Sequence, residues 1–219
     1  MTAPLFEVGV MFHNNADLII PFLYCFRRAC ALSYRLLAVD QGSTDETPAL
    51  LKKELRPGVD IVSTFSDNRG IAAGRNEILR LRTPSLPLLL LDSDCFVIRD
   101  KSCDALLAAI QPGSPYAISF ALQRGFYLGD LSRPGYSAAM FRPGFFEQVG
   151  PFDERFKMFC DDTVHYERSM ALGIDSIFVS EAEVLHFWGS TTRAVPKWQA
   201  ILAKDHALYS HERATRQSA

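Results

Sequence analysis

The sequence predicts an α/β fold: a three-layer α/β/α sandwich with a mostly parallel central sheet. Two observations carry the prediction. Through about residue 94, short apolar runs alternate with helical patterns at the spacing of strand–helix–strand units. Leu88-Leu89-Leu90-Leu91, with prolines upstream, reads as a strand apolar on both faces, as a parallel sheet covered by helices requires. A third observation says where such a sheet would work. Asp92 and Asp94 follow that strand at once, and ionised carboxylates are costly to bury without a cation, hydrogen bonds or water. Hard oxygen ligands suit Mg²⁺ or Mn²⁺. The carboxyl end of a strand in an open α/β sheet is where ligands bind. The plain alternative for this D-x-D is an exposed acidic turn.

Taken in order, Phe6 to Phe12 is the first predicted strand. A helix from Asp17 to Leu32 follows, with Asn15 as its cap. Tyr34 to Val39 is the second strand. Ser43 or Thr44 caps a helix reaching about Leu55, and Asp45 and Glu46 favour its first turn. Asp60 to Phe65 is the third strand, Ile71 to Leu81 a helix, and Leu86 to Leu91 the fourth strand. After Asp94 the rhythm changes. A helix from about Lys101 to Ile110 leads to a strand from Tyr116 to Leu122. Gln123 to Tyr136 is rich in Gly, Arg and aromatic residues and reads as a long loop of the kind that is often functional. Ser137 to Phe141 and Ser176 to Val179 are strands. Between them, Asp161 to Leu172 is a helix stopped by Gly173. Val195 to Tyr209 carries Trp198, Ile201, Leu202, Leu208 and Tyr209 at amphipathic spacing, and a basic tail with Arg213 and Arg216 follows.

Bulk properties narrow the classes. With 219 residues, 48% of them hydrophobic and 22% charged, the chain can build a full core in one domain with a small appendage. A formal net charge of −2 provides no global basic field for nucleic acid or anionic lipid. No basic residue precedes an apolar run at the N-terminus, so no signal peptide is expected. The apolar runs are far too short for a transmembrane segment. Cys25, Cys30, Cys95, Cys103 and Cys160 have no C-x-x-C spacing, which points to free thiols in a reducing cytoplasm and away from zinc.

Four further constellations can carry chemistry. Val39-Asp40-Gln41-Gly42-Ser43-Thr44-Asp45 is a strand, a polar turn and a helix start; Asp40 there can accept from a base or ribose, or the turn is simply capped. Asp67 to Asn76 follows a strand and opens a helix. Its small residues admit a ligand to the backbone, and helix N-termini favour anions, though tight helix–sheet packing would use the same residues. The glycine spacing there is not that of a dinucleotide fingerprint. Asp161 and Asp162 open a helix, where acids stabilise the macrodipole; alternatively one of them is a general base. His186, in an apolar run, is either a structural histidine or a third metal ligand beside the D-x-D.

In order and spacing, VDQGSTD, DNRGIAAGRN, LLLLDSD, GPFDERFKMFCDD and LHFWGS resemble the motifs of family 2 glycosyltransferases, from about Val8 to Ser190. The F-D-E-R-F segment is most similar to a bacterial rhamnosyl- and galactosyltransferase-like subgroup. The resemblance implies a Rossmann-like GT-A fold over residues 1–190. Its nucleotide-binding half would end near residue 94 and its acceptor half would be 95–190, with 191–219 forming the C-terminal helix and tail. It implies that Phe12 and Asp40 flank the nucleotide base, with Asn68, Gly70 and Arg75 on the nucleotide side of the cleft. Asp92 would face ribose and metal, Asp94 would ligate the divalent ion, and His186 would complete the metal or diphosphate site. Asp162 would be the catalytic base, with Asp161 in place of the family's usual Glu, and Gly135 to Arg142 would lie near sugar and acceptor.

The activity so implied is metal-assisted, inverting transfer of a sugar from a UDP-, dTDP- or GDP-sugar to a hydroxyl, with Mn²⁺ or Mg²⁺ as cofactor. The family's usual acceptor is a glycan or lipid-linked glycan precursor. A modified base in phage DNA is a further option that the net charge does not support. Location would be cytoplasmic or peripheral at the inner membrane surface. Gln41 departs from the family's Asp or Asn, and Val164 from a common Asp two residues after the base. Two rival readings differ in kind. A nucleotidylyltransferase needs a Gly-rich, Arg-containing loop where Phe12-His13-Asn14-Asn15 stands. A non-catalytic nucleotide-sugar or glycan-binding module would have no need of intact acidic motifs.

Overall fold

The structure, a computed structural model, describes residues 3–125, 135–187, 195 and 197–217. Residues 126–134 of the expected aromatic loop, Trp188 to Ser190 of the last motif and the side chain of Arg216 lie outside the described residues. The elements are β1 (Phe6–Phe12), α1 (Ala16–Ala29), β2 (Tyr34–Asp40), α2 (Thr47–Glu54), β3 (Ile61–Thr64), α3 (Ile71–Leu81), β4 (Leu88–Leu91), β5 (Cys95–Val97), α4 (Ser102–Ala109), β6 (Tyr116–Gly125), β7 (Ala138–Phe141), α5 (Phe145–Val149), α6 (Asp161–Ala171), β8 (Asp175–His186) and α7 (Trp198–Gln217).

One mixed sheet runs β3-β2-β1-β4-β7-β6-β8-β5. The β3-β2-β1-β4 block is wholly parallel, as is the β6–β8 pair; β7 against β4 and β6, and β5 against β8, are antiparallel. The alternating pattern of the leucine run explains its place. Leu89 and Leu91 join the core on one face with Phe22, Phe26 and Leu106, while Leu88 and Leu90 join the other with Ile78, Phe141 and Phe145. Successive strand residues point to opposite faces, so four leucines in a row fill both layers. Each fully buried Leu contributes about 1.5–3 kcal/mol. The chain leaves β1 toward β2 on one side and reaches β4 on the other, so the sheet order reverses between β1 and β4. That is the topological switch point at which open α/β sheets bind ligands.

The structure departs from the expected elements in several places. A short strand, β5, follows the D-x-D. Gln123 belongs to β6 and not to the loop. Five residues, Phe145–Val149, form α5, whose aromatic side chains pack beneath β7. Most consequentially, β8 does not stop at Val179. Its pairing jumps from Ala121↔Val179 to Leu122↔Glu183, a bulge that interrupts the strand pattern at Ser180 and Glu181 and then lets the strand continue to His186. Asn15 does not cap α1 through its side chain, and α2 begins at Thr47, later than Ser43 or Thr44 would place it.

Candidate functional site

A cleft opens at the carboxyl ends of β1, β2 and β4, and three loops set its walls. The D-x-D turn forms its floor and is held from three sides. Asp92 N donates to Ser137 O at 2.9 Å before β7, and Phe187 N donates to Asp94 O at 3.0 Å after β8. Asn15 Nδ2 donates to Ser93 Oγ at 2.7 Å from the end of β1. Asn15 therefore serves the site, not the helix cap.

Asp94 and His186 meet because β5 and β8 pair with Cys95 opposite His186. His186 Nε2 lies 3.4 Å from Asp94 Oδ1, both side chains nearly buried. On the other side of the ring, Nδ1 is 2.9 Å from Gln123 Oε1. An acceptor there keeps the proton on Nδ1 and turns Nε2 toward Asp94, the orientation by which an outer residue sets a ligating histidine. Burial alone would lower the His186 pKa, but the Asp94 hydrogen bond and the charges of Asp92 and Asp94 outweigh it and raise it. Asp94, Cys95 and His186 bring one ligand atom each within 4.8 Å of one another. Burial raises the Cys95 thiol well above its ordinary range and the nearby carboxylates add to that, so Asp94 and His186 are the donors that match a hard divalent ion. Asp92 stands outside that trio. Its side chain is 29% exposed and approaches Arg75 NH2 at 3.8 Å. Burial raises its pKa against the pull of Arg75, with Asp94 pushing the same way.

Arg75 is the electrostatic centre. It was expected to line the nucleotide side; it touches the cleft, but its side chain is only 4% exposed and faces the acidic pair. Arg75 NH1 donates to Asp161 Oδ2 at 2.6 Å and lies 4.0 Å from Asp162 Oδ2. Burial would lower the guanidinium pKa, yet the charges of Asp161, Asp162 and Asp92 raise it. Burial lifts the Asp161 carboxyl to about 6 despite Arg75, helped by the charge of Asp162. The two acids differ in access. Both line the cleft, but Asp161 is 3% exposed and committed to Arg75, whereas Asp162 is 22% exposed. Asp162 accepts from Tyr136 N at 3.2 Å through one oxygen and from Thr163 N at 2.7 Å through the other. A Cβ on Gly135 would sit 3.1 Å from Asp162 Oδ2, so the glycine admits that carboxylate to the turn before β7.

On the other wall, Phe12 and Asn68 line the cleft, Phe12 from the end of the core and Asn68 from an exposed turn. Asn68 Oδ1 accepts from Gly70 N at 2.9 Å. Gly70 takes φ +96°, and a Cβ there would stand 2.6 Å from Lys157 O, so only glycine fits between the loop and the irregular segment before Asp161. Asp40 is fully buried and is not among the lining residues; its Oδ1 accepts from Ser43 N at 3.2 Å. Gln41 lines the cleft instead. Its Nε2 donates to Gly70 O at 2.7 Å, and its buried Oε1 has no partner. Gly74 makes the room, since a Cβ there would be 2.3 Å from Gln41 Nε2.

Sequence reasoning missed Gln123, Lys157, Gly74 and the place of Gln41 in the cleft wall. Gln41 was flagged only as a departure, and the orphan oxygen needed its packing to be seen. Cys160 also lines the cleft, but burial and the surrounding carboxylates push its thiol up to about 12, which leaves it a poor nucleophile.

Comparison with known proteins agrees with this architecture. A mannosyltransferase from Pyrobaculum calidifontis, solved with GDP-Man and Mn²⁺, superposes with a TM-score of 0.69 at 19% identity, over 90% of this chain and 58% of that one. GalNAc-T7, solved with UDP, GalNAc and Mn²⁺, gives 0.69 at 14% identity over 85% and 44%. S. aureus TarS gives 0.66 at 16% identity over 91% and 70%. The chain thus spans little more than half the length of the first and less than half of the second. No curated protein sequence matches significantly. The profile described as "Glycosyl transferase family 2" matches residues 7–179, from the start of β1 through the bulged middle of β8 and across every motif up to the acidic pair. The chain belongs to glycosyl transferase family 2.

Proposed function

We propose that the chain moves a sugar from a nucleoside-diphosphate sugar to an acceptor hydroxyl, inverting the anomeric centre, with Asp162 as general base. The observation that carries this reading is the division of labour in the acidic pair: Asp161 is locked to Arg75, and Asp162 is presented to the cleft by two backbone N–H groups. Asp162 takes the acceptor's proton as that oxygen attacks the anomeric carbon, and the bond from that carbon to the diphosphate breaks on the opposite face. A single positioned base, with the Cys160 thiol pushed up to about 12, fits one direct displacement. Arg75 acts here as the counter-ion that keeps Asp92, Asp161 and Asp162 together.

Asp94 and His186 would hold Mn²⁺ or Mg²⁺, with Asp92 beside them. A cation bound there offsets charge developing on the leaving diphosphate. The proton that the raised His186 pKa favours is the one such a cation displaces. Phe12, Asn68 and Gly70 form the donor wall. Among the described residues Gln41 Oε1 and Asp40 Oδ2 are both buried without a partner, but Gln41 lines the cleft and Asp40 does not, so Gln41 takes the base-accepting role expected of Asp40. Uracil, thymine and guanine all offer an imino N–H to such an acceptor, so UDP-, dTDP- and GDP-sugars all remain donors to test. The Mn²⁺ and nucleotide sugars in the two solved relatives support this donor class. For the acceptor, a glycan or lipid-linked glycan precursor fits best; a DNA base has no support from a net charge of −2.

Thermal-shift measurements against UDP-, dTDP- and GDP-sugars, with and without Mn²⁺, test the donor site. A ligand that binds the native state raises its melting temperature. A manganese-dependent rise with one nucleotide is expected. A folded sample that shifts with none of them sinks the donor reading and favours a glycan-binding module of the same fold.

A further inference from the structure

The C-terminal helix does more than cover the domain. Asp205, on α7, is only 3% exposed, and its carboxylate points at three consecutive backbone N–H groups. Lys157 N reaches Oδ2 at 3.1 Å, Met158 N at 2.8 Å and Phe159 N at 3.0 Å. These residues line the cleft and run directly into the acidic pair through Cys160, which takes a left-handed φ of +64°. The other side of the segment is also held: Lys157 O accepts from Ile71 N at 2.7 Å, where α3 begins beside Gly70. The segment is therefore clamped between the donor wall and α7. Three converging N–H groups form an anion-binding nest, and a buried carboxylate that fills it satisfies all three. Helix α7 is also tied to the later part of α6, beyond the acidic pair, and to Arg155. Tyr209 OH donates to Glu167 Oε1 at 2.5 Å, and Arg155 pairs with Glu212 at 2.5 Å.

Resting on the transferase reading above, we infer that Asp205 is a positioning residue for transfer. By ordering residues 157–160, it sets the first turn of α6 and thereby where Asp162 meets the acceptor. Small errors in such placement are costly, because catalysis depends on reacting groups being held at attack distance.

The test compares full-length parent, Asp205→Asn, Asp205→Ser and Tyr209→Phe, measuring melting temperature, amide hydrogen exchange of residues 157–160, and kcat and KM for the donor that the parent uses. Asn sets an N–H₂ against the amide donors at nearly unchanged volume, and Ser keeps a single short acceptor. Both should speed exchange at 157–159 and lower kcat about tenfold or more, with donor KM changed about threefold or less. Tyr209→Phe loosens α7 elsewhere and should leave kcat at the parent value. Parent-like exchange and kcat in the Asp205 variants overturn the inference. So does an equal fall of kcat in Tyr209→Phe, which would mean that helix docking alone matters. Should Asp205→Asn fail to fold, Asp205→Ser decides by the same readouts. A parent that neither binds nor transfers any nucleotide sugar overturns the transferase reading itself, and that outcome is seen before any variant is compared.

Discussion

Among single residues, the neighbours Asp161 and Asp162 show how environment separates two identical side chains. Arg75 takes one of them, and the other stays the more exposed in the cleft that both line. Asp162→Asn preserves the acceptor oxygen facing Tyr136 N but cannot take a proton. It should bind donor as the parent does and lose turnover by about 10²-fold or more, the usual contribution of a positioned base. Turnover within a few-fold of the parent would move the role elsewhere. Asp94→Ala removes one of the two buried metal-facing donors, and manganese-dependent donor stabilisation should vanish in the same thermal-shift assay. An unchanged manganese effect would refute the ligand assignment. The sequence had shown both acids and the D-x-D, since these sit together in the chain. It had not shown that Arg75, 86 positions from Asp161, is their counter-ion, because no local pattern encodes that pairing.

At the level of elements, the loop between β3 and α3 is shaped by one glycine. Gly70 at φ +96° lies in a region that L side chains rarely adopt, and its missing Cβ leaves space for Lys157 O. Gly70→Ala should cost about 1–3 kcal/mol in chemical denaturation. It should also weaken donor binding, because the displaced segment lines the cleft. Full stability in Gly70→Ala would show that the loop relaxes without cost. The elements themselves were largely legible. Leu88–Leu91 and Ile71–Leu81 follow the periods of a strand and a helix, and those periods belong to local backbone geometry. The two β8 halves were not read as one strand, because a bulge interrupts the alternation. That bulge matters, since only the continued strand brings His186 opposite Cys95.

For the molecule as a whole, burial links stability to pH through His165. This side chain is 1% exposed, stacks on Phe152 at 4.3 Å and holds Gly150 O at 2.9 Å through Nε2. Burial lowers its pKa to about 4. The unfolded chain therefore binds a proton that the folded chain does not between about pH 6.5 and pH 4, and stability falls as pH falls through that window. The term is on the order of 3 kcal/mol. Asp161 has the opposite sign. Its carboxyl, lifted by burial to about 6, keeps a proton in the folded state that the unfolded chain releases above its ordinary range, so this group costs stability as pH rises toward 6. Denaturation curves for Asp161→Asn should fall more steeply than the parent's from pH 6.5 to 4, and those for His165→Asn less steeply. Parallel curves for all three proteins would refute the linkage.

Sequence alone determined the α/β class, most strand and helix positions, the two-faced burial of the leucine run and the identity of the acidic motifs. Each of these rests on neighbours in the chain: a side-chain period, a turn residue, a carboxylate at a strand's end. Tertiary structure decided which partners those groups meet. It gave Arg75 to Asp161, placed Gln41 and not Asp40 on the lining of the cleft, set Gln123 behind His186 and brought Asp205 under residues 157–159. The Arg75, Gln123 and Asp205 pairings join residues from 46 to 86 positions apart. They depend on sheet register, on the bulge in β8 and on where α7 docks, and register and packing are settled only when the whole core closes at once.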